Sequence, residues 1–144
     1  MDDHPIGLHF VHHFAKAGEQ RGGERIERLI GAHQIEIVIG HDYRGYSTSI
    51  KMALATGLIA AGCKVHDIGL ALSPMAYFAQ FALDVPCVAM VTASHNDNGW
   101  TGVKMGAQRP VTFGPDEMTR LKNIVLSGAG IPSDGGSYHF VSDF

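Results

Sequence analysis

The chain has 144 residues, 45% of them hydrophobic and 17% charged, with a formal net charge of −3. That length suits about one domain with a real core, and the slightly acidic balance offers no basic surface for nucleic acid. No apolar run is long enough to span a bilayer, and the opening Met1-Asp2-Asp3 is not that of a signal peptide.

Residues 1–34 carry a helical pattern over about 6–16 and again over about 24–30, with Gly18, Gly22 and Gly23 between them. His9, His12 and His13 have the spacing of one helix face, as metal ligands would. No carboxylate or cysteine completes a recognisable site, so a chance, partly exposed cluster is the plainer reading.

Ile35-Glu36-Ile37-Val38-Ile39 is β-branched and ends at Gly40, which predicts a buried strand. Ser47 or Thr48 can cap a helix to about Ala61, with Ile50, Leu54, Leu58 and Ala61 at helical spacing and Gly62 as the stop. A second strand is predicted from Lys64 to Ile68. Ser73-Pro74 reads as a cap followed by proline at the first helical position, opening a helix to about Leu83. The apolar run from Cys87 to Thr92 predicts a third strand, and Val103-Lys104-Met105 a short further one. Pro115-Asp116-Glu117 starts a last helix to about Leu126, with acids where the helix dipole favours them. Gly128 to Ser142 reads as a loose tail. Cys63 and Cys87 read as reduced core thiols, which suits a cytoplasmic setting.

This order predicts a three-layer α/β/α sandwich around a mainly parallel, mixed sheet. Arg44, Ser73 and Ser94 then fall just beyond the C-terminal ends of strands, the edge where open α/β sheets bind ligands.

The richest segment runs from Val91 to Gly106. It joins an apolar strand to a loop bearing a hydroxyl (Ser94), an imidazole (His95) and an amide (Asn96) in a row, with Lys104 soon after. Serine needs a neighbour to take its proton or a cation to stabilise developing charge. Phosphoryl transfer asks mainly for positioning and positive charge, which Asn96, backbone amides near Gly99 and Gly102, and Lys104 can supply in part. An esterase triad fits less well, because there is no G-x-S-x-G elbow. Adjacent side chains of an extended segment point to opposite faces, so no direct bond between Ser94 and His95 is expected. A flavodoxin-like nucleotide binder is disfavoured by the lack of a glycine-rich fingerprint after the first strand.

The run Thr92-Ala93-Ser94-His95-Asn96, with Asn98-Gly99-Trp100-Thr101-Gly102-Val103-Lys104, resembles the phosphoserine loop of the α-D-phosphohexomutases, the phosphomannomutase and phosphoglucomutase enzymes. Gly40-His41-Asp42-Tyr43-Arg44 is similar to that family's Gly-x-Asp-x-Arg turn. The resemblance covers roughly Ile35 to Leu126, with weaker similarity on either side. It implies that Ser94 carries a phosphoryl group, gives it to a hexose monophosphate, and takes back the other phosphate of the resulting bisphosphate. It implies Lys104 as an aid to proton transfer and His95 as the histidine of the loop. It implies supporting, substrate-side roles for Arg44 and Asn96. Magnesium on an oxygen of the Ser94 phosphate and a glucose 1,6-bisphosphate-type activator follow from the same resemblance.

The departures are equally informative. Asp97 stands where the family usually has proline, which removes a backbone constraint. The usual N-terminal glycine–arginine motif has no match in residues 1–34, and the Asp-Gly-Asp-x-Asp-Arg metal loop and the later sugar and phosphate loops have none anywhere. The expected organisation is a poorly matched segment 1–34, a first-domain core 35–127 and a tail or linker 128–144. Its partners would be a hexose phosphate and the missing domains of the same enzyme. An isolated chain without turnover, and an exposed apolar patch where later domains pack, are expected. The alternative is a non-catalytic piece that only binds a phosphosugar or a partner chain. Plainer readings stand beside the residue roles. Ser94 is then a loop hydroxyl, His95 a brace, Lys104 an edge-strand lysine, Arg44 an ion pair with Asp42, and Trp100 a loop anchor rather than a sugar platform.

Overall fold

The computed structural model describes residues 34–128 and 132–144. The two helical patterns expected within residues 1–34, and the His9, His12, His13 cluster, lie outside the described residues.

Five strands form one sheet: β1 (Glu36–His41), β2 (Lys64–Leu70), β3 (Cys87–Val91), β4 (Val103–Gly106) and β5 (Ser137–Phe140). Their order is β4-β3-β1-β2-β5. β1 pairs in parallel with β2 and β3, β2 pairs in parallel with β5, and β4 runs antiparallel to β3. The helices are α1 (Ser47–Ala60), α2 (Ser73–Ala82) and α3 (Pro115–Ser127).

β1 and β3 are central because their residues are apolar on both faces. Ile37, Val38 and Ile39, and Cys87 to Val91, are all buried, as strands covered on both sides must be. Alternation then sorts the core into two layers. Ile37, Ile39, Val65 and Ala89 pack with Ala55 and Leu58 of α1 and Leu121 of α3. Val38, Val88 and Met90 pack with Ala76 and Ala79 of α2 on the other side. This is the expected three-layer sandwich. Truncating a side chain such as Ile39, fully enclosed here, costs roughly 2–5 kcal/mol.

The helix ends differ in detail from expectation. α1 begins at Ser47, but its hydroxyl makes no cap; it donates to Asp42 Oδ1 at 2.6 Å. α2 is entered from Leu72 in an extended conformation, and Ser73 Oγ instead accepts from Lys104 Nζ at 3.3 Å. In both cases a tertiary partner outcompetes the local cap. Gly62 does end α1's turn: its φ is +84°, and a Cβ there would sit 3.0 Å from the Asp134 carbonyl oxygen, a conformation and a gap that suit glycine. At α3 the Glu117 carboxylate accepts the Gly114 N–H at 2.8 Å.

The loose tail is corrected. Within residues 132–144 the chain adds β5 to the sheet, and Tyr138 donates its hydroxyl to the buried Asp67 at 2.6 Å. Asp67 also receives Lys51 Nζ at 2.5 Å and the Gly69 N–H at 2.7 Å. Burial and the Asp67 carboxylate hold the Tyr138 hydroxyl up at about 12, so it stays a donor. Cys63 and Cys87 are free and buried, and burial pushes both thiols up to about 12. Leu72, Phe78 and Phe81 are exposed on and beside α2. No helix among the described residues is long and apolar enough to cross a membrane.

Candidate active site

The sheet order sets the location. From β1 the chain crosses to β2 on one side and then returns past β1 to β3. The loops after β1 and β3 therefore diverge at the C-terminal edge between neighbouring strands, the switch point where doubly wound sheets bind ligands. The Ser94 loop follows β3, and the turn from Asp42 to Tyr46 follows β1.

The turn is built around the Asp42 carboxylate. Oδ1 accepts the Arg44 N–H (3.2 Å) and the Ser47 hydroxyl (2.6 Å). Oδ2 accepts the Ala93 N–H at 3.3 Å and pairs with the Arg44 guanidinium. Burial alone would raise the carboxyl. The bonds from Ser47, the Arg44 N–H, Thr92 and the Arg44 side chain outweigh that and hold it at about 2. Asp42 is thus an anion through the physiological range.

Arg44 carries that anchor to the serine loop. Its guanidinium is buried and donates to the Ser94 carbonyl (3.4 Å) and to the Asn96 carbonyl. Its planar fork holds Asp42 and the two loop carbonyls at once, which a lysine ammonium cannot do. Arg44 therefore reads as a clamp on the loop backbone. Its Nε is buried without a partner among the described residues.

The clamp fixes an uncommon backbone. Ser94 has φ +58°, left-handed and rare for a residue with a side chain. Such outliers persist only where their surroundings hold them, and they gather at functional sites. The Ser94 N–H donates to Thr92 Oγ1 (2.9 Å), and the Asn96 N–H and side-chain amide both donate to the Ala93 carbonyl (3.1 and 3.0 Å). The side chains of Ser94, His95 and Asn96 remain exposed.

One expectation fails here. Ser94 Oγ and His95 Nδ1 are 3.3 Å apart. The argument for opposite faces assumed an extended segment, and the left-handed turn at Ser94 swings the two side chains together. Lys104, opposite Met90 on β4, reaches Ser73 at the start of α2 rather than bonding to Ser94. The expected carriers thus share one edge of the sheet. Asp97 is exposed and its carbonyl accepts the Trp100 N–H at 3.3 Å. Trp100 is 66% exposed; its backbone, not its ring, is what Tyr46 holds, through a hydroxyl that donates to the Trp100 carbonyl at 2.7 Å.

Sequence reasoning missed Tyr46 and the loop-holding role of Asp42. The only signal was an aromatic with a polar tip in a turn after a central strand.

A magnesium ion asks for a small set of oxygen ligands. Among the described residues no three His, Cys, Asp or Glu side chains converge to hold a metal. Ser94 offers one exposed hydroxyl, and the nearby Asp42 carboxylate is committed to Arg44, Ser47 and Ala93. These residues do not complete a magnesium site by themselves.

Fold and loop together define an α/β/α domain presenting a clamped serine at the C-terminal edge of its parallel strands. The family model described as phosphoglucomutase/phosphomannomutase, alpha/beta/alpha domain I, matches residues 10–129. The chain belongs to the phosphoglucomutase/phosphomannomutase family, and the part it matches is that first domain. The match reaches further toward the N-terminus than the motifs had indicated. A probable phosphoglucosamine mutase of Pyrococcus furiosus is 37% identical over 89 residues, 62% of this chain and 20% of that protein. A phosphomannomutase of Escherichia coli is 49% identical over 70 residues, 49% of this chain and 15% of that protein. A crystal structure of a phosphoglucomutase/phosphomannomutase family protein from Burkholderia thailandensis superposes with a TM-score of 0.72 at 27% identity. It covers 97% of this chain and 29% of its own. The chain thus spans about a fifth of the length of the first of these relatives.

Proposed function

We propose that the chain is the phosphoserine domain of a hexose-phosphate mutase, with Ser94 as phosphoryl carrier. Ser94 Oγ attacks a phosphorus of a hexose bisphosphate such as glucose 1,6-bisphosphate. The P–O bond to the sugar breaks, the serine proton leaves, and the sugar oxygen is protonated as hexose monophosphate departs. In the reverse sense the phosphoserine gives its phosphoryl group to the free hydroxyl of a hexose monophosphate. His95 Nδ1, 3.3 Å from Ser94 Oγ, is within reach of the moving proton. Lys104 adds positive charge at the same edge and assists proton transfer, and Asn96 contributes polar contacts to the phosphosugar. Arg44 acts on the substrate side only indirectly, by holding the loop. Magnesium would be shared with carboxylates supplied by further domains, which are the chain's partners, and the working compartment is the cytoplasm.

The observation that carries this reading is the exposed hydroxyl of a left-handed Ser94 at the β1/β3 switch point, in a chain of this family. The test is intact and peptide mass spectrometry after incubation with glucose 1,6-bisphosphate and magnesium. One phosphate on Ser94, lost in Ser94→Ala, is the expected result. A chain that never takes phosphate, alone or with the domains its longer relatives carry, sinks it.

A second reading rests on length. The chain spans 20% of its Pyrococcus furiosus relative, and this domain by itself would then be a non-catalytic, phosphosugar- or partner-binding piece. Phosphate uptake without mutase turnover by the isolated chain is the outcome that reconciles both readings.

A further inference from the structure

We propose that Tyr46 is a positioning residue for the serine loop, fixing the half that Arg44 does not reach; this rests on the reading of Ser94 as phosphoryl carrier. Arg44 binds the carbonyls of Ser94 and Asn96, in the first half of the loop. The Tyr46 hydroxyl accepts the Gly99 N–H at 3.0 Å and donates to the Trp100 carbonyl at 2.7 Å, in the second half. One phenol thus uses its donor and an acceptor lone pair on the backbone of adjacent residues. Gly99 has φ +99°, so the chain reverses where the hydroxyl grips it. After Thr101, the Gly102 carbonyl accepts the Thr92 N–H at 3.0 Å, and β4 with Lys104 begins at Val103.

Arg44 and Tyr46 lie two positions apart on the turn between β1 and α1. A single turn, itself fixed by Asp42, therefore holds both halves of the loop. The turn after the central strand thereby joins the loop's own hydrogen bonds in setting the spacing between the Ser94 hydroxyl and the Lys104 strand. Phosphoryl transfer depends on positioning, and displacements of about 1 Å can cost on the order of a hundredfold in rate. A hydroxyl that touches no substrate can then matter to the rate.

The test is Tyr46→Phe in the full 144-residue chain, which keeps the ring and removes both bonds. Two quantities are read. One is the initial rate of Ser94 phosphorylation against glucose 1,6-bisphosphate concentration with magnesium. The other is hydrogen exchange of individual backbone amides by NMR. A positioning role lowers the saturating rate, by about tenfold, and leaves the half-saturating concentration unchanged. It also speeds exchange at Gly99 by roughly tenfold and leaves Thr92 as it was. Unchanged exchange at Gly99 overturns the proposal, as does a loosened Gly99 with an unchanged rate. If the unaltered chain takes no phosphate even with the domains its longer relatives carry, the reading of Ser94 fails, and exchange at Gly99 alone decides whether Tyr46 holds the loop.

Discussion

Among the described residues two buried ion pairs border this sheet, and they serve different ends. Asp42 with Arg44 sits beyond β1, and besides the Ser47 hydroxyl and the Arg44 N–H its hydrogen bonds go to the backbone of the largely exposed loop from Ala93 to Asn96. Lys51 with Asp67 ties α1 to β2, and its remaining bonds go to Gly69 and to Tyr138 of β5. Both pairs are almost wholly removed from water. The first directs hydrogen bonds to the backbone around Ser94; the second directs them to Gly69 and to an edge strand. Burial of a charge pair is therefore no guide to its purpose. What the leftover donors and acceptors touch is the guide.

The sharpest way to break the comparison is Lys51→Met. It leaves the Asp67 carboxylate buried without its cation, which costs about 3–5 kcal/mol. Urea denaturation measures the loss, and phosphate uptake per folded molecule should stay unchanged. A loss of uptake in the folded fraction would mean the two pairs are not separate in purpose.

Acid tests the other pair. The Asp42 carboxyl is held below its ordinary 3.8, at about 2. A depressed folded value contributes stability that is fully present above 3.8 and is lost as pH falls through about 2. Asp42→Asn should cost roughly 1.5–3 kcal/mol near neutral pH. Its denaturation midpoint should converge on that of the unaltered chain as pH falls through this window. A gap that persists at the acid end would assign the stability to other groups.

The mildest change, Tyr138→Phe, removes one hydroxyl from Asp67 while Lys51 and Gly69 remain. A loss of about 1 kcal/mol is expected, with faster amide exchange at Val141, whose N–H donates to the Asp67 carbonyl. Unchanged exchange there would show that β5 holds to the sheet without its buried partner.

Much of the fold was legible in the chain. β1, β2 and β3 announce themselves as β-branched apolar runs, and α1, α2 and α3 as helical spacing with proline or glycine at the ends. β5 was hidden because Gly135 and Gly136 mark a turn and draw the eye from Tyr138-His139-Phe140-Val141, an aromatic-rich stretch with strand character. The serine loop was legible as a motif, but its geometry was not. Ser94 and His95 approach each other through a backbone rotation that no side-chain pattern encodes. Ser47 and Ser73 looked like helix caps, since nothing local reveals that Asp42 and Lys104 claim their hydroxyls. Tyr46 could not be read at all, because its partners are backbone groups 53 and 54 positions away.

The two thiols lie toward the end of the sheet opposite the serine loop, Cys63 just before β2 and Cys87 at the first residue of β3. Held protonated and shielded from solvent, they are inert toward an alkylating reagent while the sheet is closed. Alkylation at these sulfurs therefore counts openings of the sheet, not collisions with its surface. The chain has an unfolding clock built into it, at the end of the sheet away from the Ser94 hydroxyl.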